Sequence, residues 1–196
     1  MFKAHVIVLL SMFFLNAHAS QISTRSVCGG GEIINHEYQR SIPDSVFMKA
    51  AIDVAIQAKE HGHHPFGAIL VHEGKVIARA ENRANEHRLH HAEYRLVHSA
   101  LENKTITKEM LKASTLYSSA EPCAMCAGAI FWAGVRTVVY SEGHETFGND
   151  SLGRSSRSVY EHAKKSEQPS EDRRMTVIGP IADPQGRRPA YDFFTK

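Results

Sequence analysis

Two cysteines separated by two residues, Cys123 and Cys126, are the side chains best suited to chemistry in this sequence. Residues 114–118 before them are predicted to form a strand, and residues 127–133 after them a helix. Residues three apart on a helix lie on one face, so both sulfur atoms can meet at the helix start. The positive end of the helix dipole there favours the thiolate form. By itself, the pair is compatible with a disulfide, a redox pair or part of a metal site.

A histidine and a glutamate earlier in the chain supply what a catalytic metal site needs. Catalytic zinc takes three protein ligands and keeps one position for water, and a neutral imidazole with two thiolates balances its charge. We therefore predict one Zn²⁺ per chain, held by His91, Cys123 and Cys126. His91 is preferred to its neighbour His90 because only His91 has a glutamate two residues later. That glutamate, Glu93, is predicted to carry protons rather than to bind the metal.

The combination of the two motifs is more specific than either motif alone. A His-x-Glu followed by Pro-Cys-x-x-Cys is the signature of zinc deaminases, in which zinc activates water and the glutamate acts as general acid and base. In this chain both motifs begin predicted helices, and Pro122 directly precedes the cysteine pair. A redox module has no need of the His-x-Glu. The motifs therefore predict a hydrolase in which zinc-bound hydroxide attacks an amino-bearing ring carbon and ammonia leaves.

The elements that must position these residues follow from the spacing of apolar side chains. Helices are predicted near residues 44–60, 91–101, 123–133 and 159–165, and strands over 68–71, 76–80, 114–118, 136–140 and 175–178. Val46 is placed on the core-facing side of the first helix. This order predicts an α/β fold, a three-layer α/β/α sandwich around a mixed five-stranded sheet. The strand–helix–strand unit that contains the cysteine pair is expected to be a right-handed parallel crossover.

The N-terminus is predicted to direct export and then to be removed. Lys3 precedes an apolar run over residues 6–15, and Ala17-His18-Ala19 matches a signal-peptide cleavage pattern. The run is short for a transmembrane helix, so no membrane attachment is expected after cleavage near Ala19; the alternative is an uncleaved interfacial helix. The mature protein is expected to be periplasmic or secreted. The predicted organisation is a signal peptide (1–19), a flexible polar arm (20–42) and a deaminase domain (43–196).

The composition argues against a surface built for nucleic acid. The formal net charge is +2, and the basic residues are scattered apart from short pairs such as Arg173-Arg174. The chain contains three cysteines, which are too few for a disulfide framework or a zinc ribbon. The third of them, Cys28, is expected to lie outside the site. A small-molecule partner is therefore favoured over a polynucleotide.

From residue 44 to residue 177 the chain resembles the cytidine deaminase-like superfamily. The segments 65–68 (Pro-Phe-Gly-Ala), 91–93 (His-Ala-Glu) and 121–130, which contains Glu-Pro-Cys-Ala-Met-Cys, look most like its purine branch. That branch includes bacterial guanine deaminases and tRNA adenosine deaminases. The resemblance implies that Asn82 and Ala92 contact the substrate, since an amide both donates and accepts hydrogen bonds at the edge of a base. It also implies that Asp150, in a loop similar to that of guanine deaminases, is a second catalytic acid.

The same resemblance bears on assembly and substrate. It implies a homodimer, and guanine deaminases can exchange C-terminal segments, for which the aromatic residues Tyr191, Phe193 and Phe194 are suited. The leading expectation is a zinc aminohydrolase of a small nucleobase-like substrate, guanine first, with nucleosides and pterins left open. One alternative is a deaminase of adenosine or cytosine in tRNA or another nucleic acid. The other is a non-catalytic exported binding or redox module in which the cysteine pair forms a disulfide.

Overall fold

The computed structural model describes residues 43–147, 159 and 175–195. The predicted signal peptide, the arm with Cys28, and Asp150 lie outside the described residues, as does the helix predicted over 159–165 apart from Val159. Among the described residues, no helix has both the length and the apolar character needed to cross a bilayer.

A mixed five-stranded sheet confirms the predicted fold class. Its strands are β1 (Gly67–His72), β2 (Lys75–Glu81), β3 (Thr115–Ala120), β4 (Thr137–Glu142) and β5 (Thr176–Ile178). The spatial order is β2-β1-β3-β4-β5, with β1 antiparallel to β2 and β3, and with β3, β4 and β5 parallel. The carboxyl ends of β3 and β4 therefore meet at one edge of the sheet, where ligands bind in many α/β folds.

Helices pack on both faces of the sheet, as a three-layer fold requires. They are α1 (Asp44–Glu60), α2 (Ala92–Glu102), α3 (Lys108–Ala113), α4 (Ala124–Ala133) and α5 (Pro189–Phe194). One core layer joins α1 to the sheet, and a second layer joins α2, α3 and α4 to the opposite face. Neighbouring residues of β3 show the alternation that a strand imposes: Leu116 packs in the α2 and α4 layer, whereas Tyr117 packs in the α1 layer.

The first helix forms because small and apolar residues recur along one side of it. Its buried residues are Phe47, Met48, Ala51, Ile52, Val54, Ala55 and Ala58. The prediction that Val46 faces the core is wrong, because its side chain is 53% exposed. Met48 and Ile52, which the sequence pattern omits, are fully buried, whereas Phe47, Ala51, Val54, Ala55 and Ala58 are buried as the pattern predicts.

The two shortest helices, α3 and α5, have no counterpart among the predicted elements. At the start of α3, the hydroxyl oxygen of Thr107 accepts a hydrogen bond from the Met110 amide at 3.2 Å, an ordinary N-cap. Helix α5 begins at Pro189, a residue that suits the first helical position. Each helix has six residues, too few for a repeating apolar pattern to show.

Gly67, at the start of β1, is needed for the close approach of that strand to α1. A Cβ added there would collide with backbone atoms of Ala55 and lie 2.6 Å from the carbonyl oxygen of Ala51. Gly67→Ala is therefore expected to lower the free energy of unfolding by about 3 kcal/mol, because backbone atoms cannot move aside as a flexible side chain can. Denaturant unfolding followed by circular dichroism measures this change.

A matched control for that substitution lies in α4. A Cβ added at Gly128 meets no atom within 4 Å. Gly128→Ala is expected to leave stability unchanged or to raise it by about 0.5–1 kcal/mol, because alanine loses less backbone entropy in a helix. Equal effects of the two substitutions would contradict the packing argument.

Candidate metal centre and active site

Two helices begin next to each other at residues that the sequence singles out. His91 precedes α2 and Cys123 precedes α4, each in an extended backbone conformation at the N-cap position. The first hydrogen bonds of these helices run from Arg95 N–H to His91 O at 3.0 Å and from Ala127 N–H to Cys123 O at 2.8 Å. Both helix N-termini therefore place positive potential beside the candidate ligands, where it stabilises thiolates.

The three predicted metal ligands come together in the structure. One ligand atom each from His91, Cys123 and Cys126 lies within 4.8 Å of the other two. The distance from Cys123 Sγ to His91 Nδ1 is 3.6 Å. Tetrahedral zinc separates a sulfur and a nitrogen ligand by roughly 3.6 Å, so this donor set fits Zn²⁺ both in chemistry and in spacing. The neighbouring His90 does not belong to this group of candidate ligands.

The two thiols of the group have opposite pKa shifts. The pKa of Cys123 is lowered to about 4, first because the Cys126 thiol donates a hydrogen bond to it and also because His91 does, although burial opposes the shift. The same contact between the sulfur atoms, together with burial, raises the pKa of Cys126 well above its ordinary value. The pKa of His91 is raised by its hydrogen bond to Cys123. A cation bound here must therefore displace protons from the group.

Glu93 is the buried acid of the site. Its side chain is in contact with the candidate cavity, yet the residue is only 5% exposed. Burial raises the pKa of its carboxyl group, and the negative charge of Cys123 adds to that effect. The Ser118 hydroxyl donates a hydrogen bond to Glu93 Oε1 at 2.8 Å, which opposes the shift. A carboxyl group with a raised pKa beside a metal site is suited to take up and release protons.

A cavity of about 190 Å³ opens beside these residues. Its wall combines the candidate metal ligands and the acid with aromatic, amide and imidazole groups. The lining residues are His64, Phe66, Asn82, His91, Glu93, Ala120, Glu121, Cys123, His144 and Phe194. Glu93 and two of the candidate metal ligands, His91 and Cys123, therefore line the same cavity.

The three other predicted site residues, Asn82, Ala92 and Asp150, have different outcomes in the structure. Asn82 lines the cavity and is 2% exposed, and its Oδ1 accepts a hydrogen bond from the Ala84 amide at 2.8 Å. This bond fixes the plane of the amide, so Asn82 serves both as a turn residue and as part of the cavity wall. Ala92 is fully buried and is not among the described residues that line the cavity, so its contact with substrate stays a prediction. Asp150 lies outside the described residues.

Several lining residues carry no site role in the sequence prediction, among them His64, Glu121 and His144. Glu121 belongs to the Glu-Pro-Cys segment and follows β3, and His144 follows β4, so both lie at the carboxyl edge of the parallel strands. The Glu121 carboxylate accepts a hydrogen bond from the His144 backbone amide at 3.3 Å. A rule that strand ends of parallel sheets form sites would have pointed to both residues.

The C-terminal helix α5 reaches the cavity of its own chain. The Phe194 ring stacks on Phe66 with 5.9 Å between centroids, and it meets the His64 ring edge-on at 6.0 Å. Of the predicted aromatic group, Phe194 thus covers the cavity within one chain. Exchange of this segment between subunits stays a prediction.

A buried carboxylate holds α5 in this position. Glu142, at the end of β4, is 4% exposed and accepts hydrogen bonds from the Ala190 and Tyr191 amides at 3.1 and 2.9 Å. These amides belong to the first turn of α5 and have no partner within the helix. Before the helix, Arg187 donates to Asp183 at 2.7 Å and also contacts Asp53 of α1. The end of the chain is therefore fixed to both β4 and α1.

Glu142→Gln is expected to loosen α5, because an amide offers one acceptor oxygen where the carboxylate offers two. Burial raises the pKa of the Glu142 carboxyl group, so loss of its charge offsets part of the lost hydrogen bonding. We expect the free energy of unfolding to fall by about 0.5–1.5 kcal/mol and tryptic cleavage near Arg187 to become faster. Glu60→Gln, an exposed glutamate of α1, is the control and should change neither quantity. Unchanged cleavage in Glu142→Gln would mean that the carboxylate does not hold the helix.

Comparison with known proteins identifies a family that contains this site. The family model for the cytidine and deoxycytidylate deaminase zinc-binding region matches residues 41–142, just over half of the chain. The matched segment contains the three candidate ligands and Glu93. It ends before Asp150 and before the C-terminal helix.

Individual relatives carry several names. The chain is 43% identical over 104 residues to a probable cytosine deaminase of Schizosaccharomyces pombe, covering 52% of this chain and 62% of the relative. It is 43% identical over 99 residues to the tRNA-specific adenosine deaminase of Bacillus subtilis, covering 50% and 60%. The chain thus spans about three fifths of the length of these relatives. A solved structure of guanine deaminase from Bacillus subtilis matches with a TM-score of 0.51 at 28% identity, over 72% of this chain and 87% of that one.

Proposed function

Since the chain belongs to the cytidine and deoxycytidylate deaminase zinc-binding family, we propose that it is a zinc-dependent hydrolytic deaminase of a small amino-heterocycle, with guanine as first candidate. The observation that carries this proposal is the position of Glu93. A buried acid lines the same cavity as two of three convergent zinc-type ligands. This arrangement supports proton transfer to and from a molecule held beside the metal.

The proposed reaction replaces an amino group by a carbonyl oxygen. When bound by His91, Cys123 and Cys126, zinc lowers the pKa of water toward neutrality and so supplies a nucleophile. Glu93 accepts the proton that this water loses and delivers it to a ring nitrogen, as the new C–O bond forms at the amino-bearing carbon. Glu93 then moves the second water proton to the amino group, the C–N bond breaks, and ammonia leaves.

The size and the cover of the cavity favour a small substrate. A volume of about 190 Å³ is below the roughly 300–1,000 Å³ typical of pockets for drug-sized ligands. Phe194 and His64 form part of the wall of this cavity, with 6.0 Å between their ring centroids. Asn82 offers an amide to the edge of a base. Guanine comes first because the loop over residues 147–151 resembles that of guanine deaminases.

A second candidate has support from the relatives. Proteins named as cytosine deaminase and as tRNA-specific adenosine deaminase match this chain at 43% identity, which is above the identity to the guanine deaminase structure. For this candidate the substrate is cytosine, or adenosine in tRNA. A tRNA substrate predicts that activity falls steeply as salt rises, because phosphate contacts release counterions.

Ammonia release from a panel of heterocycles tests the proposal. Zinc-loaded protein is given guanine, adenine, cytosine, their nucleosides, a pterin and a tRNA anticodon stem-loop, with Glu93→Ala as the negative control. We expect release from a free purine base that is absent in the control. Release from cytosine or from tRNA alone would favour the second candidate. No release from any substrate would refute both.

A non-catalytic redox module predicts a different state of the cysteine pair. Cys123 and Cys126 are both free thiols in the structure. Zinc analysis and thiol titration of protein from its native compartment decide between the two classes. One zinc per chain supports the enzyme, whereas a disulfide without zinc supports the redox module. Export after cleavage near Ala19 stays part of the proposal and is checked by N-terminal sequencing of the mature protein.

A further inference from the structure

Ser118 lies in β3, two residues before the strand ends, and its side chain contacts the buried acid of the site. Leu116, on the same side of the strand, packs in the layer of α2 and α4, so the alternation of the strand turns Ser118 toward these helices as well. The residue is 1% exposed. Its hydroxyl donates to Glu93 Oε1 at 2.8 Å in a buried hydrogen bond between two side chains.

This contact restricts a motion that would spoil proton transfer. A glutamate side chain has a broad terminal torsion, so its carboxylate plane is poorly fixed unless another group holds one oxygen. Ser118 belongs to a central strand of the sheet and has little freedom to follow Glu93. A hydroxyl can donate to a carboxylate and can also accept from a carboxyl group, so it can hold the side chain whichever form is present.

We propose that Ser118 is a positioning residue, which holds Glu93 Oε1 so that the carboxyl group stays aimed at the cavity during turnover. This inference rests on the proposed deaminase function and adds a residue outside both sequence motifs. Ser118 is neither a candidate metal ligand nor one of the described residues that line the cavity. Its effect is therefore expected on the rate of the chemical steps rather than on zinc or substrate binding.

The neighbouring Ser119 provides a matched control. It is also 1% exposed, and its hydroxyl oxygen accepts a hydrogen bond from the Gly67 amide at 3.0 Å. Ser118→Ala and Ser119→Ala thus remove the same atom from the same strand, and each removes one buried hydrogen bond. Only the first of these bonds involves Glu93. A merely structural role of Ser118 predicts similar effects of the two substitutions.

Steady-state kinetics on zinc-loaded protein give the first test. We expect Ser118→Ala to lower kcat by about 10- to 100-fold, as is typical when a residue that orients a functional side chain by a hydrogen bond is removed. KM and the zinc content should stay near those of the wild type, and Ser119→Ala should keep its kcat. Ser118→Thr retains the hydroxyl and is expected to restore most of the rate. Equal losses of kcat in both alanine variants, or loss of zinc from Ser118→Ala, would overturn the proposal.

A second measurement does not depend on activity. Denaturant unfolding of Ser118→Ala, Glu93→Ala and the double variant forms a thermodynamic cycle. The two effects are expected to be non-additive, whereas the corresponding cycle with Ser119→Ala should be additive. Additivity in both cycles would mean that Ser118 and Glu93 are not energetically coupled, which would overturn the proposal. The cycle remains a test even if Ser118→Thr does not fold. An active wild type with an unaffected Ser118→Ala refutes this inference alone, whereas an inactive wild type refutes the proposed function and the inference with it.

Discussion

Glu93→Gln is expected to lower kcat by about 10²- to 10⁴-fold, the range usual for loss of a general acid and base. Glutamine has the shape of glutamate, and its side-chain oxygen can still accept from the Ser118 hydroxyl. It cannot take a proton from water or deliver one to the leaving amine. The ligands His91, Cys123 and Cys126 are unchanged, so one zinc per chain should remain.

The same substitution should not weaken the fold. Burial raises the pKa of Glu93, which means that the charged form is disfavoured in the folded protein. A neutral amide removes this cost, so the free energy of unfolding is expected to stay equal or to rise. Metal analysis, kcat and denaturant unfolding together separate a chemical from a structural defect. Glu102→Gln, at the exposed far end of the same helix, is the control. A rate in Glu93→Gln within a few-fold of this control would rule out Glu93 as proton carrier.

Loss of the metal is expected to have an equally large effect. Cys126 is fully buried among the candidate ligands, and serine offers a hydroxyl where zinc prefers a thiolate. Cys126→Ser is therefore expected to lose bound zinc and at least about 10³-fold in activity, since water is no longer activated. Metal analysis and ammonia release measure the two losses. Cys28→Ser, which makes the same change outside the predicted site, should keep both zinc and activity; full activity in Cys126→Ser would contradict the ligand assignment.

Zinc affinity should also depend on pH in a defined direction. The pKa values of His91 and Cys126 are both raised, so both groups keep their protons to a higher pH in the metal-free protein than the free side chains would. Zinc must displace these protons, so its apparent affinity should rise with pH, by about tenfold per pH unit for each proton released. Cys123 adds little to this slope above about pH 5 because its pKa is about 4. Competition with a chelator measures the slope, and an affinity independent of pH would be inconsistent with these ligands.

The metal group could be predicted from the sequence because its signals are local. His91 and Cys123 each stand directly before a helix, and a helix start has its own marks in sequence. The strand before the cysteine pair shows in its apolar residues, which places the ligands at the sheet edge. The mixed sheet followed from the order of the same elements. The combination of the His-x-Glu and Pro-Cys-x-x-Cys motifs then predicted that His91 and Cys123, 32 residues apart, belong to one site.

The remaining wall of the cavity could not be predicted in this way. Phe194 reaches the site through long-range contacts, among them the hydrogen bonds that Glu142, 48 residues before Ala190, accepts from the start of α5. No spacing rule links a glutamate in a strand to a short helix so far along the chain. The partnership of Ser118 and Glu93, 25 residues apart, likewise depends on how β3 packs against α2. The prediction that Val46 faces the core was wrong for the same reason, because packing rather than periodicity decides which side of a helix is buried.

The metal ligands and Glu93 on the one hand, and His64, His144 and Phe194 on the other, come from different parts of the fold, which has a consequence for engineering. The candidate metal ligands and Glu93 lie at or near the starts of α2 and α4. In contrast, His64 lies between α1 and β1, His144 begins a short 3-10 helix after β4, and Phe194 ends α5. These three positions can be randomised in a library without removing a metal ligand, the proton carrier or the sheet core. Selection for growth on alternative nitrogen sources would then change which heterocycle is deaminated, while the metal ligands and Glu93 stay the same.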